Sequence, residues 1–217
     1  MGKRSMFIGI LSGMSLWVSA DLEFKQQTLT ATVPPGAETY AFSFPFKNTG
    51  TAPVEITEVK NSCGCTAAKP GKLTYQPGES GAIEGSFTVG KRIGKQKVTV
   101  TVVTGGAEPS STKLSLDLEI PQLLESTPSM LLWREGSEPI EKEIHVKLAT
   151  EYNIALERVS IDSEDFDIRL EDGNEVSGKK ILIKPKTTEA GVTGKVMADV
   201  IINGEIEKKY YFYALVR

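Results

Sequence analysis

The sequence holds few of the residues that acid–base and nucleophilic enzymes rely on. Among its 217 residues there is one histidine, His145, with two cysteines and two tryptophans. A Ser/His/Asp or Cys/His engine would have to join a residue of the first half to that single histidine in the second. Beyond the first twenty residues there is no His-Glu-x-x-His and no Gly-x-Ser-x-Gly, and the two Gly-x-x-x-x-Gly-Lys stretches, Gly85 to Lys91 and Gly173 to Lys179, run on into Arg92 and Lys180 where a phosphate loop needs Ser or Thr. The zinc-peptidase, α/β-hydrolase and P-loop readings therefore fail. An excess of positive charge is also missing, since 25 Lys and Arg stand against 28 Asp and Glu. A nucleic-acid partner is accordingly not expected. No window keeps the i, i+3, i+4, i+7 apolar spacing long enough for a stable helix, because Gly, Pro and Thr interrupt every long apolar stretch. The expectation is a protein that is not an enzyme and carries no cofactor.

What the chain does have begins with an address. Lys3 and Arg4 give a positive start, residues 6–17 carry no charge, and Val18-Ser19-Ala20 offers small side chains for a signal peptidase. Cleavage is predicted after Ala20. The uncharged stretch is short for a hydrocarbon layer of about 30 Å, and acidic Asp21 and Glu23 follow it rather than a basic cluster. The expected location is extracytoplasmic, periplasmic or secreted, with no transmembrane segment in the mature chain. Loss of residues 1–20 removes two cations and no anions, leaving a net charge of −5.

The remainder is written in strands. Tyr40, Phe42, Phe44 and Phe46 fall on every second position, which turns one face of an extended segment into a core. Asn48-Thr49-Gly50 supplies turn chemistry. Val54, Ile56 and, after a one-residue slip, Val59 read as the next strand. Residues 29–33, 73–75, 83–89, 98–102 and 114–120 complete about seven strands. Pro121 and Pro128 bracket a segment without strong periodicity, residues 122–127, read as the linker. Strand patterns then resume at 130–133, 140–148, 152–156, 166–170, 181–183, 196–202 and 210–214, with Asn203-Gly204 as a hairpin turn. The fold class expected is all-β, as two tandem immunoglobulin-like β-sandwich domains at 21–122 and 123–217 after a signal peptide at 1–20. A single large jelly roll is the alternative.

One spot is chemically unusual. Both cysteines lie within three residues, Cys63-Gly64-Cys65, at the start of a loop after a strand. Residues i and i+2 of a strand have Cα atoms roughly 6.6 Å apart, near the outer limit for a disulfide, and Gly64 can bend to shorten that. A bridge there closes about three residues, for which chain entropy gives roughly 1.6 kcal/mol, against about 4.7 for a hundred-residue loop. Four readings stay open for Cys63 and Cys65: a bridge or thiol pair that tightens a loop, a thiol–disulfide couple, a two-sulfur site for a soft cation such as Cu(I), and pairing with another protein's thiol. His145, out of phase with Ile144 and Val146, is expected to face solvent. The cations Lys91, Arg92, Lys95 and Lys97 read as a solvated hairpin end, and the acids Asp162, Glu164, Asp165 and Asp167 as a polar turn.

Taken together, Phe46-Lys47-Asn48-Thr49-Gly50, then Val54 and Ile56, Ser62-Cys63-Gly64-Cys65-Thr66, and Pro77-Gly78-Glu79 resemble the bacterial family known as domain of unknown function 1573. The resemblance covers roughly residues 24–105. That family is similar to immunoglobulin-like modules of the major-sperm-protein and hydin type. The resemblance implies a binding or scaffolding sandwich in exported bacterial proteins and no established reaction. The expected function is a non-catalytic binding or scaffolding protein of the cell envelope, its partner an envelope or extracellular protein or polymer. The alternative is a thiol-redox or Cu(I)-binding protein working through Cys63 and Cys65.

Overall fold

Alternating apolar side chains build the molecule, and every regular element described is a strand. The computed structural model describes residues 21–105, 109–173 and 178–217. The predicted export signal, residues 1–20, lies outside them. Among the described residues no helix is long and apolar enough to cross a membrane.

The first half contributes β1 (Leu22–Phe24), β2 (Thr28–Thr32), β3 (Thr39–Asn48), β4 (Val54–Asn61), β5 (Thr66–Pro70), β6 (Thr74–Tyr75), β7 (Ser80–Thr88), β8 (Gly94–Gly105) and β9 (Ser110–Ile120). They form two sheets, ordered β1-β3-β7-β5 and β2-β9-β8-β4-β6. Period-two faces bury Phe42, Phe44 and Phe46 from one sheet and Val98, Val100, Val102, Leu114, Leu116 and Leu118 from the other. Each large apolar side chain buried in this way stabilises the fold by roughly 1.5–3 kcal/mol. Gly81 and Gly85 sit inside β7 for reasons of space. A Cβ on Gly81 would stand 2.3 Å from the Tyr75 ring, and one on Gly85 would stand 2.4 Å from Phe42 and 2.6 Å from the Ala67 carbonyl. The slip read at Val59 is a β-bulge, where β4 shifts register against β8 between Ile56 and Glu58.

The second half contributes β10 (Leu124–Thr127), β11 (Met130–Trp133), β12 (Lys142–Leu148), β13 (Ile154–Ile161), β14 (Phe166–Asp172), β15 (Gly178–Pro185), β16 (Thr193–Ile202) and β17 (Ile206–Val216). Its sheets are ordered β10-β12-β15-β14 and β11-β17-β16-β13. Their core joins Trp133, Ile144, Val146, Leu156, Phe166, Ile181, Ile183, Val196, Val200, Phe212 and Val216. Trp133 keeps its indole satisfied by donating to the Ile140 carbonyl at 2.7 Å.

These orders define two immunoglobulin-like sandwiches, each a four-stranded A-B-E-D sheet facing a sheet built on G-F-C. Among the described residues no sheet joins the two sets, which is not the arrangement of a single jelly roll. The chain also falls into two compact units. One holds Ala41–Ser86 and Val98–Ser115 with residues 21–29, the other Thr30–Tyr40, Phe87–Lys97 and Leu116–Arg217. That division cuts across individual strands, whereas the sheets keep each strand whole.

Three expectations need correction. Most of the segment read as a linker forms β10, whose Leu124 opposes Leu148 of β12. Its polar Glu125, Ser126 and Thr127 hide the period that an edge strand needs on one face only. β5 also escaped the sequence reading, because Thr66, Ala67, Ala68 and Lys69 offer no large apolar residue. Ile140 and Tyr152 lie outside the strands they were assigned to, and Ile140 is half exposed.

Candidate functional site

Cys63 and Cys65 stand where the chain changes sheets. β4 belongs to the five-stranded sheet and β5 is the edge of the four-stranded one, so residues 62–65 carry the backbone across the end of the sandwich. Ser62 anchors the start of this crossing. Its amide donates to the Thr99 carbonyl at 2.9 Å, and its hydroxyl accepts from the Thr99 amide at 3.0 Å. At the far end the Thr66 amide donates to the Cys63 carbonyl at 3.4 Å.

Between these anchors the two sulfurs form a close pair. Their Sγ atoms are 1.97 Å apart and their Cα atoms 5.2 Å apart. Both cysteines are half-buried and Gly64 between them is exposed. A Cβ on Gly64 would meet nothing within 4 Å, and its φ lies outside the left-handed region. The buried Thr66 hydroxyl lies 3.4 Å from Cys63 Sγ and 3.9 Å from Cys65 Sγ. Among the described residues no group of three or more His, Cys, Asp or Glu is placed to hold a metal ion. His145 is exposed on β12 of the second half, as its parity implied, and its Nε2 lies 2.9 Å from Glu143.

The other resemblance-bearing residues make a structural hub. Asn48 is fully buried. Its Nδ2 donates to the carbonyls of Ala52 and Tyr75, both at 2.9 Å, and its Oδ1 accepts from the Gly50 amide at 3.0 Å. Its backbone amide donates to the Glu79 carbonyl, and its carbonyl accepts from the Gly78 amide, both at 2.8 Å. One residue, through its side chain and its backbone together, thereby ties the Asn-Thr-Gly turn to the Pro-Gly-Glu turn. Glu79 closes that second turn, its carboxylate accepting from the Gln76 amide at 2.9 Å and from Lys72. The hydrogen bond from Lys72, followed by that from Gln76, holds the Glu79 carboxyl below the usual range.

The sequence pointed to Cys63 and Cys65 but not to Thr66 as their shared neighbour. It also missed that the second half repeats the crossing. β13 runs in one sheet and β14 is the edge of the other, joined by residues 162–165. The Asp162 amide donates to the Lys195 carbonyl at 3.2 Å, and Asp162 Oδ1 accepts from the Lys195 amide at 2.6 Å. That is the Ser62–Thr99 arrangement with a carboxylate in place of a hydroxyl. The β-bulge recurs as well, between Leu156 and Arg158. The visible signal was the spacing of Val54, Ile56 and Val59, repeated in Ile154, Leu156 and Val159. The acids read as a polar turn sit in this crossing, where Ser163 Oγ accepts from the Asp165 amide at 3.3 Å.

The class defined so far is a tandem immunoglobulin-like protein with a sulfur pair at one sheet crossing. Residues 22–120, a little under half of the chain, match the family described as Protein of unknown function (DUF1573). No curated protein matches the chain. Among solved structures it is similar to the YadV chaperone, at 12% identity and TM-score 0.39 over 88% of this chain and 100% of that one. It is similar to a PapD-like domain of human CEP192, at 12% identity and TM-score 0.39 over 56% of this chain and 98% of that one. The likeness to Vibrio cholerae VesB protease, at 16% identity and TM-score 0.39, spans 46% of this chain and only 31% of that one.

Proposed function

We propose that the protein is an exported, non-catalytic binding module of the bacterial cell envelope, made of sandwich domains at 21–122 and 123–217, that holds an apolar segment of another envelope protein. The carrying observation is an apolar row on the outer face of the β11-β17-β16-β13 sheet. Met130 is 43% exposed, Leu132 50%, Tyr211 39% and Tyr213 45%. Met130 opposes Tyr213, Leu132 opposes Leu215, and Tyr211 opposes Met197, so the exposed groups are neighbours on one face rather than scattered singly. Contiguous exposed apolar surface of this kind marks interaction sites. Lys195 stands 4.1 Å over the Tyr211 ring and supplies a charged rim. The export address rests on Lys3 to Ala20, and an oxidising compartment favours a disulfide between the close sulfurs.

A photo-crosslinking side chain placed at Leu132 or Tyr213 in the producing cell should capture an envelope protein, and one placed at Arg169 should not. Leu132→Asp should abolish capture from position 213 while leaving the urea midpoint of the chain unchanged. Equal capture from Arg169 would contradict the reading. N-terminal sequencing of the exported protein should begin at Asp21, and a start at Met1 would remove the export step.

A further inference from the structure

The two sheet crossings form an internal control for the cysteines. Residues 62–65 and 162–165 make the same connection between the same two strands of one topology, each after a bulge and each anchored by a side-chain oxygen on the neighbouring strand. One contains two sulfurs and the other none. The connection therefore does not need a bridge to form. A bridge across about three residues also removes little freedom from the unfolded chain, so stapling gives it little purpose. Glycine at position 64 is not required by its surroundings either, since a Cβ would fit and φ is ordinary. What Gly64 does provide is an uncovered approach to the half-buried sulfurs on either side.

We infer that Cys63-Gly64-Cys65 is a thiol–disulfide exchange site whose substrates are thiols and disulfides reaching it from solvent. This stands independently of the apolar face on the second half. The Thr66 hydroxyl sets the direction of attack. It lies nearer Cys63 Sγ than Cys65 Sγ, at 3.4 Å against 3.9 Å, and it is fixed by burial. Donating to a departing thiolate makes Cys63 the better leaving group, which leaves Cys65 as the sulfur attacked.

A substrate thiolate forms a bond to Cys65 Sγ as the Cys63–Cys65 bond breaks, and the bonding pair stays on Cys63 Sγ, which accepts the Thr66 O–H. A second substrate thiolate attacks the substrate sulfur of this mixed disulfide, releasing the substrate disulfide and leaving the Cys65 thiolate. Two substrate thiols are oxidised, the protein disulfide is reduced by two electrons, and the two protons given up by the substrates go to the cysteine sulfurs. With a substrate disulfide as oxidant the same steps run in reverse.

The test uses the exported chain in graded mixtures of reduced and oxidised glutathione, and in parallel with a dithiol peptide. Alkylation and intact mass count free thiols, and circular dichroism follows the fold. Two thiols should appear in excess reduced glutathione, with an unchanged spectrum, and close again in oxidised glutathione. Response to the peptide but not to glutathione would identify protein thiols as the substrate. Cys63→Ser should hold glutathione as a lasting mixed disulfide on Cys65. Thr66→Val should slow opening about tenfold, the loss expected for a hydrogen bond to a charged group, and Thr66→Ser should restore it. A pair that neither probe opens while the chain is folded, or that opens only in urea, would overturn the site. Opening of Thr66→Val at the unsubstituted rate would overturn the direction of attack.

Discussion

The two halves of this chain solve one architectural problem with different chemistry. Both cross from the C strand of one sheet to the D strand of the other in four residues, after a bulge, under an oxygen cap. The first half adds a sulfur pair to that crossing, and the second fills it with Asp162, Ser163, Glu164 and Asp165. A second contrast lies at the end of the B strand. Asn48 opposes Leu22 in the first half, where Leu148 opposes Leu124 in the second. The first half invests in a buried polar hub, and the second closes the same position with packing. Topology is thus insensitive to which of these devices is used.

The largest expected effect comes from exchanging the two solutions at position 48. Asn48→Leu copies the second half into the first and strips partners from the Ala52 and Tyr75 carbonyls and the Gly50 amide. Equilibrium urea unfolding should show a loss of about 3 kcal/mol, since each buried polar group left unpaired costs about 1–3 kcal/mol. A loss too small to measure would mean that the hub does not hold the turns together. Next in size are the caps. Ser62→Ala and Asp162→Ala should each cost about 1 kcal/mol, the net value of one intramolecular hydrogen bond, and each should raise amide hydrogen exchange at its own partner, Thr99 or Lys195. Unequal sites of exchange would break the equivalence of the two crossings.

The smallest effect is one of pH. Hydrogen bonds from lysines hold Glu79 in the first half, and Glu143 and Asp172 in the second, below their usual titration range, through Lys72, Lys180 and Lys179. A carboxyl depressed in the folded state contributes stability that is fully present above its unfolded value and lost as pH falls through the folded one. Lys72→Met should therefore lower the urea midpoint slightly at neutral pH and not at all once the carboxyls are protonated. These groups are exposed, so solvent keeps the change small. A midpoint shift that persists unchanged into strong acid would place the role of Lys72 in packing rather than charge.

Much of this fold is written plainly in the sequence. Phe42, Phe44 and Phe46 announce a core face because a strand's side chains alternate, and the slip before Val59 announces a bulge because one extra residue reverses that alternation. Strands that bury little announce nothing. β5 carries alanines and a lysine at a sheet edge, and β10 pairs one leucine with three polar residues, so neither leaves a period to find. The candidate site was half legible. Two cysteines in three residues are visible at once, but Thr66 looks like any threonine, and its contact with both sulfurs depends on how the crossing turns. Asn48 read as a turn former. Its reach to Tyr75, twenty-seven residues away, belongs to the tertiary structure.

The most direct test of the account transplants one crossing into the other. Cys63→Ser, Gly64→Glu and Cys65→Asp together give the first crossing, below its own Ser62 cap, the residues of the second, at a glycine where a side chain has room. Equilibrium urea unfolding of the full chain should show an unchanged fold with a loss no greater than roughly 1.6 kcal/mol, the chain-entropy value of so short a bridge. A chain that fails to fold, or that loses more than about 4 kcal/mol, would show the sulfur pair to be a structural staple and would contradict the account.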